Sequence, residues 1–410
     1  MQNSSNRGNT AGLVLALLSV VLISVFAISL KIEAPDPFEG DAIEDAPFPS
    51  LTYGIQAFLW WDNDHVGTHL DWVRIMNFNT VKQTFAWKNL EPEQGQWDFT
   101  QSDRIVDEVE KRDQYLVARL SESPEWAARA VPENTEGMVD IPPANLDDWA
   151  NYCGTIAERY TGRIRAYQIW NEPNLAREWG NQPPDAVAYV EMVRVCSEAI
   201  RTVDPAATLI SAGLSPTGQN DDIANRDDIY LDAMYRAGFQ DYVDVVGVHA
   251  PGFTQPGYGP DDAERDNLGR WATFRRVEDL RKIMLSYEDA ARQMAILEMG
   301  WTTDPREDAG YEWFAVTEEQ QAEYLVDAFA YIEEHWTPWI GLVSVIYLPD
   351  PDWTQDDEEY WWAITTPDTF HREAFFALAN MPKHCDDFKI PASDPNASEE
   401  EYLASLVTCP

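Results

Sequence analysis

Residues 146–174 read LDDWANYCGTIAERYTGRIRAYQIWNEPN. Leu146, Trp149, Ala150, Cys153, Ile156, Ala157 and Tyr160 repeat at the i, i+3, i+4, i+7 spacing of an amphipathic helix. The stretch 166–171 is a short apolar run that opens onto a charged loop, as a buried strand does. The same rhythm extends in both directions. Apolar runs at 53–58, 81–87, 115–120, 166–171, 208–214, 243–249, 294–298 and 340–348 are eight expected strands, with helical patterns between them. Thr317 and Gln320 have capping-box spacing at the start of one such helix, and another is expected over 372–381. Strands that are nearly all apolar and separated by helices call for a parallel sheet buried on both faces. Eight units predict an α/β fold of the (β/α)8 TIM-barrel type over residues 51–382. No Gly-x-Gly-x-x-Gly or Walker loop follows a strand, which argues against nucleotide cofactors.

Outside the barrel the chain changes character. Residues 11–30, AGLVLALLSVVLISVFAISL, carry no charge and no proline. At ~1.5 Å per helical residue that run just spans a hydrocarbon core of ~30 Å. Residues 1–31 are therefore expected to be a membrane anchor with the barrel outside the cytoplasm; signal cleavage after Ala27-Ile28-Ser29 is the alternative, leaving a secreted protein. The Pro- and acid-rich stretch 32–50 reads as a linker, and 383–410 as an acidic tail. Exported chains permit disulfides, and Cys385 and Cys409 are expected to close the tail into a loop. Cys153 and Cys196 fall on the apolar stripes of two helices and are expected to be buried, unpaired thiols.

Charge restricts the partner. The 410 residues include 71 acidic and 29 basic ones, a net charge of −42, which repels nucleic acid and anionic lipid surfaces. Any membrane contact is expected through the N-terminal segment alone. Seventeen Trp point instead to sugar, whose apolar ring faces stack on aromatic rings. Nothing in the sequence fixes an oligomeric state.

In a (β/α)8 barrel the functional groups stand at the C-terminal strand ends. The fourth expected strand ends in Trp170-Asn171-Glu172-Pro173-Asn174, the seventh in Leu297-Glu298-Met299-Gly300-Trp301. A lone carboxylate there is most simply a helix cap or a solvated loop charge. Two across one barrel mouth, both near Trp, suit glycoside hydrolysis, which needs one carboxyl to protonate the leaving oxygen and another to attack or activate water. Spacing alone does not assign the two roles.

WNEPN and LEMGW resemble the acid/base and nucleophile motifs of the clan A retaining glycoside hydrolases, nearest to families 39 and 5. Lys82-Gln83 with Glu91-Pro92-Glu93-Gln94-Gly95-Gln96-Trp97-Asp98-Phe99 resembles the stretch after their second strand, and the likeness runs over 51–381. It implies that Glu172 is the general acid/base, Glu298 the nucleophile, and Asn171 the donor to the sugar 2-hydroxyl. It implies also that the carboxyls lie ~5–5.5 Å apart. A proton donor needs a raised pKa, expected here from burial against Trp170 and from the partner carboxylate. Family members often carry a Tyr two residues after the sixth-strand His; here His249 is followed by Ala250 and Pro251, with Tyr258 as a stand-in. Tyr347 holds the place of the usual eighth-strand Trp platform.

The expected substrate-binding set is Asn171, His249, Trp301, Tyr347, Arg119 and Lys82. Arg119 and Lys82 serve equally as cations for substrate or as structural ion-pair partners, and His249 as a site residue or a backbone-satisfied core histidine. His65 and His69, near Asp62 and Asp64, have metal-like spacing but lack the H-E-x-x-H glutamate, so no metal is expected. The acidic run 356–359 lacks an EF-hand pattern and reads as a solvated loop. Trp60, Trp61, Trp97 and Trp313 are platforms or core. Two functions follow: an exported retaining glycosidase without cofactor acting on an oligo- or polysaccharide, or an anchored carbohydrate-binding barrel with little turnover.

Overall fold

The computed structural model describes residues 43, 45–62, 64–130, 140–307, 309–385 and 388–390. Eight parallel strands close into a barrel in sequence order: β1 Thr52–Gln56, β2 Thr80–Ala86, β3 Tyr115–Ser121, β4 Ala166–Ile169, β5 Thr208–Ser211, β6 Val245–Pro251, β7 Gln293–Gly300 and β8 Ile340–Val345. β1 pairs with both β2 and β8, which shuts the sheet. All eight expected strands are present, and burial on both faces explains their lack of polar alternation.

The helix Leu146–Arg159 follows the apolar stripe, and the Asn145 side chain caps it at the Asp147 amide. The helix Glu318–His335 opens on the expected Thr317–Gln320 capping box. The helix Glu373–Asn380 lies within the expected 372–381.

Two expectations change. Cys153 and Cys196 are not thiols: they form a disulfide between the helices Leu146–Arg159 and Ala186–Val203, with Cα atoms 5.4 Å apart. Consecutive helices of the barrel pack side by side, and the Trp149 indole donates to Met192 O across the same seam, so the two stripes face each other there. The linker also ends earlier than expected. Phe48 is buried at the barrel base, exchanges hydrogen bonds with the Gln293 side chain, and packs with Val117, Ala166, Ile210, Val245, Ala295, Leu297 and Leu342.

Residues 11–30, the expected anchor, and Cys409 of the expected Cys385–Cys409 pair lie outside the described residues. Among the described residues no helix is long and apolar enough to cross a membrane.

Candidate active site

The ends of β4, β6 and β7 bring three side chains together. After β4 the backbone turns sharply: Trp170 has φ +70° and Glu172 φ +36°, a region that costs non-glycine residues energy and is held by its surroundings. The Trp170 amide donates to Leu120 O and the Glu172 amide to Gly213 O, which fix the turn from β3 and from the loop after β5. Between β6 and β7 the register slips at Val248/His249, which sets His249 opposite Glu298. One atom each from Glu172, His249 and Glu298 lie within 4.8 Å of one another.

His249 bridges the two carboxylates. Its Nδ1 is 2.9 Å from Glu172 Oε1 and 3.5 Å from Glu298 Oε2. Ionised carboxylates only accept, so Nδ1 carries the proton. Nε2 is buried and has no hydrogen-bond partner, so His249 is not a backbone-satisfied core histidine. Gly213 makes room for the ring: a Cβ there would sit 2.0 Å from His249 Cδ2.

Each glutamate has its own cation. Lys82 Nζ, buried inside the barrel, donates to Glu298 Oε1 at 3.1 Å and to Leu297 O at 3.0 Å. Arg177 Nη2 donates to Glu172 Oε2 at 2.9 Å. Arg177 lies on the 3-10 turn Ala176–Glu178, which is held by the Trp170 indole donating to Glu178 O, by the Ala176 amide donating to Ile223 O and by the Asp140 amide donating to Arg177 O.

Burial alone would raise the Glu172 pKa, but the hydrogen bond from His249 and the charge of Arg177 outweigh it and hold the carboxyl well below its ordinary range. Glu298 is likewise lowered: burial opposes ionisation, but His249 and Lys82 prevail. Burial brings Lys82 itself down to about 8 despite Glu298. The raised pKa expected for Glu172 is therefore not found in the free protein. The expectation considered Trp170 and Glu298 but not Arg177, which curls back from five residues downstream.

The other expected residues are distributed around this trio. Asn171 is buried beside it, its Oδ1 3.3 Å from Gln168 Nε2. Tyr347 is half-buried and packs edge-on against Phe58 and Trp353. Arg119 pairs with Glu122 at 3.6 Å, so Lys82 and not Arg119 is the direct partner of Glu298. Trp301 is fully buried, donates to Thr254 O and packs over Gly252, which places its ring behind the site wall. Tyr258 donates to Asp266 at 2.7 Å and does not reach the glutamates; His249 makes the contact for which a tyrosine was expected.

His69 packs on Trp72, and burial lowers its pKa to about 4. The spacing of Glu172, His249 and Glu298 is one a metal ion could use, yet Lys82 and Arg177 already neutralise the two carboxylates.

Arg177 and Gly213 were missed by sequence reasoning. Asp140, on the turn's other flank, was missed as well, and burial with the charge of Glu122 pushes it up to about 6.

Comparison with known proteins agrees with the barrel fold. The sequence model of glycoside hydrolase family 42, described as beta-galactosidase, matches residues 57–183. A family 39 glycoside hydrolase from Bacteroides cellulosilyticus WH2 superposes with a TM-score of 0.58 at 19% identity, over 80% of this chain and 63% of that one. The chain thus spans less than two thirds of that enzyme's length. A family 39 enzyme from Xanthomonas axonopodis pv. citri gives a TM-score of 0.56 at 14% identity, over 83% of this chain and 67% of that one. A family 10 endoxylanase from a sugarcane soil metagenome gives a TM-score of 0.55 at 16% identity, over 80% of this chain and 97% of that one. By barrel topology and family match together, the chain resembles the clan A glycoside hydrolases, whose glycosidases of families 39 and 10 share its fold.

Proposed function

We propose that this protein is an exported retaining glycoside hydrolase acting on a neutral oligo- or polysaccharide, with Glu298 as nucleophile and Glu172 as general acid/base. The observation that carries the reading is the pair of carboxylates, one oxygen of each within 4.8 Å, bridged by His249 across the barrel mouth at the C-terminal ends of β4, β6 and β7. Retaining enzymes hold the two groups ~5–5.5 Å apart, whereas inverting enzymes leave ~6.5–9.5 Å for a water. Lys82 keeps Glu298 ionised and ready to attack. In the first step Glu298 oxygen bonds to the anomeric carbon as the bond to the leaving oxygen breaks, and the Glu172 proton moves to that oxygen. In the second, Glu172 takes a proton from water, water attacks the anomeric carbon, and Glu298 is released. Asn171, by its likeness to the family motif, would donate to the sugar 2-hydroxyl.

Glu172 must gain a proton before it can act as acid, and the charge of Arg177 works against that step. Export is supported by the apolar run 11–30 and by the buried Cys153–Cys196 disulfide, which an oxidising compartment preserves.

The ionised state of Glu172 in the free protein favours one rival, an anchored sugar-binding barrel with little turnover. A hydrolysis screen over aryl glycosides and polysaccharides, with Glu298→Ala as control, separates them. Turnover that the substitution abolishes, with the first-formed sugar of retained anomeric configuration by proton NMR, supports the glycosidase. Binding without turnover in the parent protein supports the rival, and an inverted product contradicts the double displacement.

A further inference from the structure

A groove of about 470 Å³ opens beside the segments that follow β1 and β2, and none of the groups placed around Glu172, His249 and Glu298 lines it. Its walls include Trp60, Trp61, Lys88, Asn89, Asp98 and Gln101. That volume lies within the ~300–1,000 Å³ of small-molecule sites.

Two features separate it from an ordinary surface dent. The Trp61 side chain is 39% exposed, although most of the tryptophans are buried. The segment carrying it is fixed on both sides: the Leu59 amide donates to Gln83 Oε1 at 2.7 Å, Leu59 O accepts from Arg104, and the Asp62 carboxylate accepts from the His65 amide. A rigid, part-exposed indole suits the apolar face of a pyranose, since little ordering is needed on binding. The second feature is Gln101 Oε1, a buried acceptor without a hydrogen-bond partner. Such an atom is costly to leave unpaired, and a turn of the Gln101 amide toward the groove it lines would let a sugar hydroxyl satisfy it.

Charge narrows the ligand. Lys88, the groove's cation, is already paired with Glu122 Oε2 at 2.7 Å, while Asp98 adds a negative charge. A uronate or sulfated sugar would meet that carboxylate, and a neutral sugar would not. The groove lies on the same barrel face as the proposed centre. Loops after β1 and β2 share the C-terminal barrel face with Glu172 and Glu298. The ion pairs Lys88–Glu122 and Glu122–Arg119 lead inward from its rim to the end of β3.

We propose that this groove is a distal subsite that binds a neutral pyranose of the same glycan chain, away from the scissile bond, with Trp61 as stacking platform and Gln101 as hydrogen-bond acceptor. The inference rests on the glycosidase reading and adds that the protein prefers chains of several sugars.

The test compares Trp61→Ala, Trp61→Phe and Gln101→Leu with the parent. The probes are p-nitrophenyl monoglycosides and neutral cello-, xylo-, manno- and galacto-oligosaccharides of two to six units. Trp61→Ala should lose about ten-fold in kcat/KM on the longer chains, mostly through KM, with a small change on the monoglycoside. Trp61→Phe should recover most of that loss, and Gln101→Leu should fall between. Equal losses on both substrate classes would mean a structural role and overturn the proposal, as would no loss on long chains. If the parent cleaves monoglycosides but no oligosaccharide series, the subsite is wrong and the glycosidase reading stands. If the parent cleaves nothing, the glycosidase reading fails, and calorimetry with the same oligosaccharides decides the groove: weaker binding by Trp61→Ala upholds it, and unchanged or absent binding overturns it.

Discussion

Replacing Arg177 with Met removes the cation 2.9 Å from Glu172 Oε2 while keeping an unbranched side chain. An opposite charge within hydrogen-bond distance lowers a carboxyl pKa by ~1–3 units. The Glu172 side chain is only 9% exposed, which favours the upper end, but that of Arg177 is 62% exposed, and solvent screens the pair. The expected effect is therefore a rise of about one unit in the Glu172 pKa, about 1.4 kcal/mol or ten-fold in proton affinity. The sign follows from the charge: a carboxylate without its cation binds protons more readily, so Glu172 stays protonated to higher pH.

The assay is kcat/KM against pH, which reports groups of the free enzyme. For an aryl glycoside with a poor leaving group, the limb requiring protonated Glu172 should move up by about one pH unit. For a dinitrophenyl glycoside, whose leaving group needs no proton, that limb should stay where it is. Arg177→Lys should restore most of the parent profile. Asp140, pushed up to about 6, titrates nearby, so Asp140→Asn is the control and should leave the shift intact. A limb that does not move, moves to lower pH, or moves equally for both substrates would refute the reasoning that Arg177 controls the proton on Glu172.

Three other perturbations probe the same framework. Gly213→Ala would drive a Cβ to 2.0 Å from His249 Cδ2, so the ring must shift; activity should fall on the order of 100-fold while circular dichroism shows the fold retained, and full activity would mean that His249's placement is unimportant. Lys82→Met leaves the Glu298 carboxylate without its ammonium, so its pKa should rise and the acidic limb of kcat/KM should move to higher pH for every substrate; an unmoved limb would remove Lys82 from the nucleophile's environment. The Cys153→Ala/Cys196→Ala double variant loses a cross-link spanning 43 residues, for which chain entropy gives about 4 kcal/mol; urea unfolding should show most of that loss, and a change below about 1 kcal/mol would argue that the bond is absent in solution.

What was legible in the sequence follows from the range of the interactions. The eight strands and the capping box at Thr317 are written in local patterns, and Glu172 and Glu298 stand where those patterns break. Arg177 could not be read in the same way. Its side chain reaches Glu172 because the Trp170 indole and the Ala176 amide fold the turn back, contacts made by groups distant from the arginine itself. Gly213 is a similar case, since its lack of a side chain matters only where His249, from the next strand, approaches it. The Cys153–Cys196 bond left a usable signal: two cysteines on the stripes of consecutive helices, in a chain already expected to be exported, fall on stripes that meet when barrel helices pack side by side. Trp301 shows the opposite error. Its position beside Glu298 in sequence suggested a substrate contact, yet its indole turns to Thr254 O and is fully buried.

The division of roles between the two glutamates is tested most directly by azide rescue of Glu172→Ala and Glu298→Ala on an activated aryl glycoside. With Glu298 as nucleophile, the Glu172 variant still forms the glycosyl-enzyme, and azide should release the sugar with retained configuration. The Glu298 variant has no nucleophile, so azide should attack directly and give the inverted glycosyl azide. The opposite stereochemistry in the two variants would mean the roles are reversed. No rescue of either variant, with a parent that does not turn over, would contradict the glycosidase assignment.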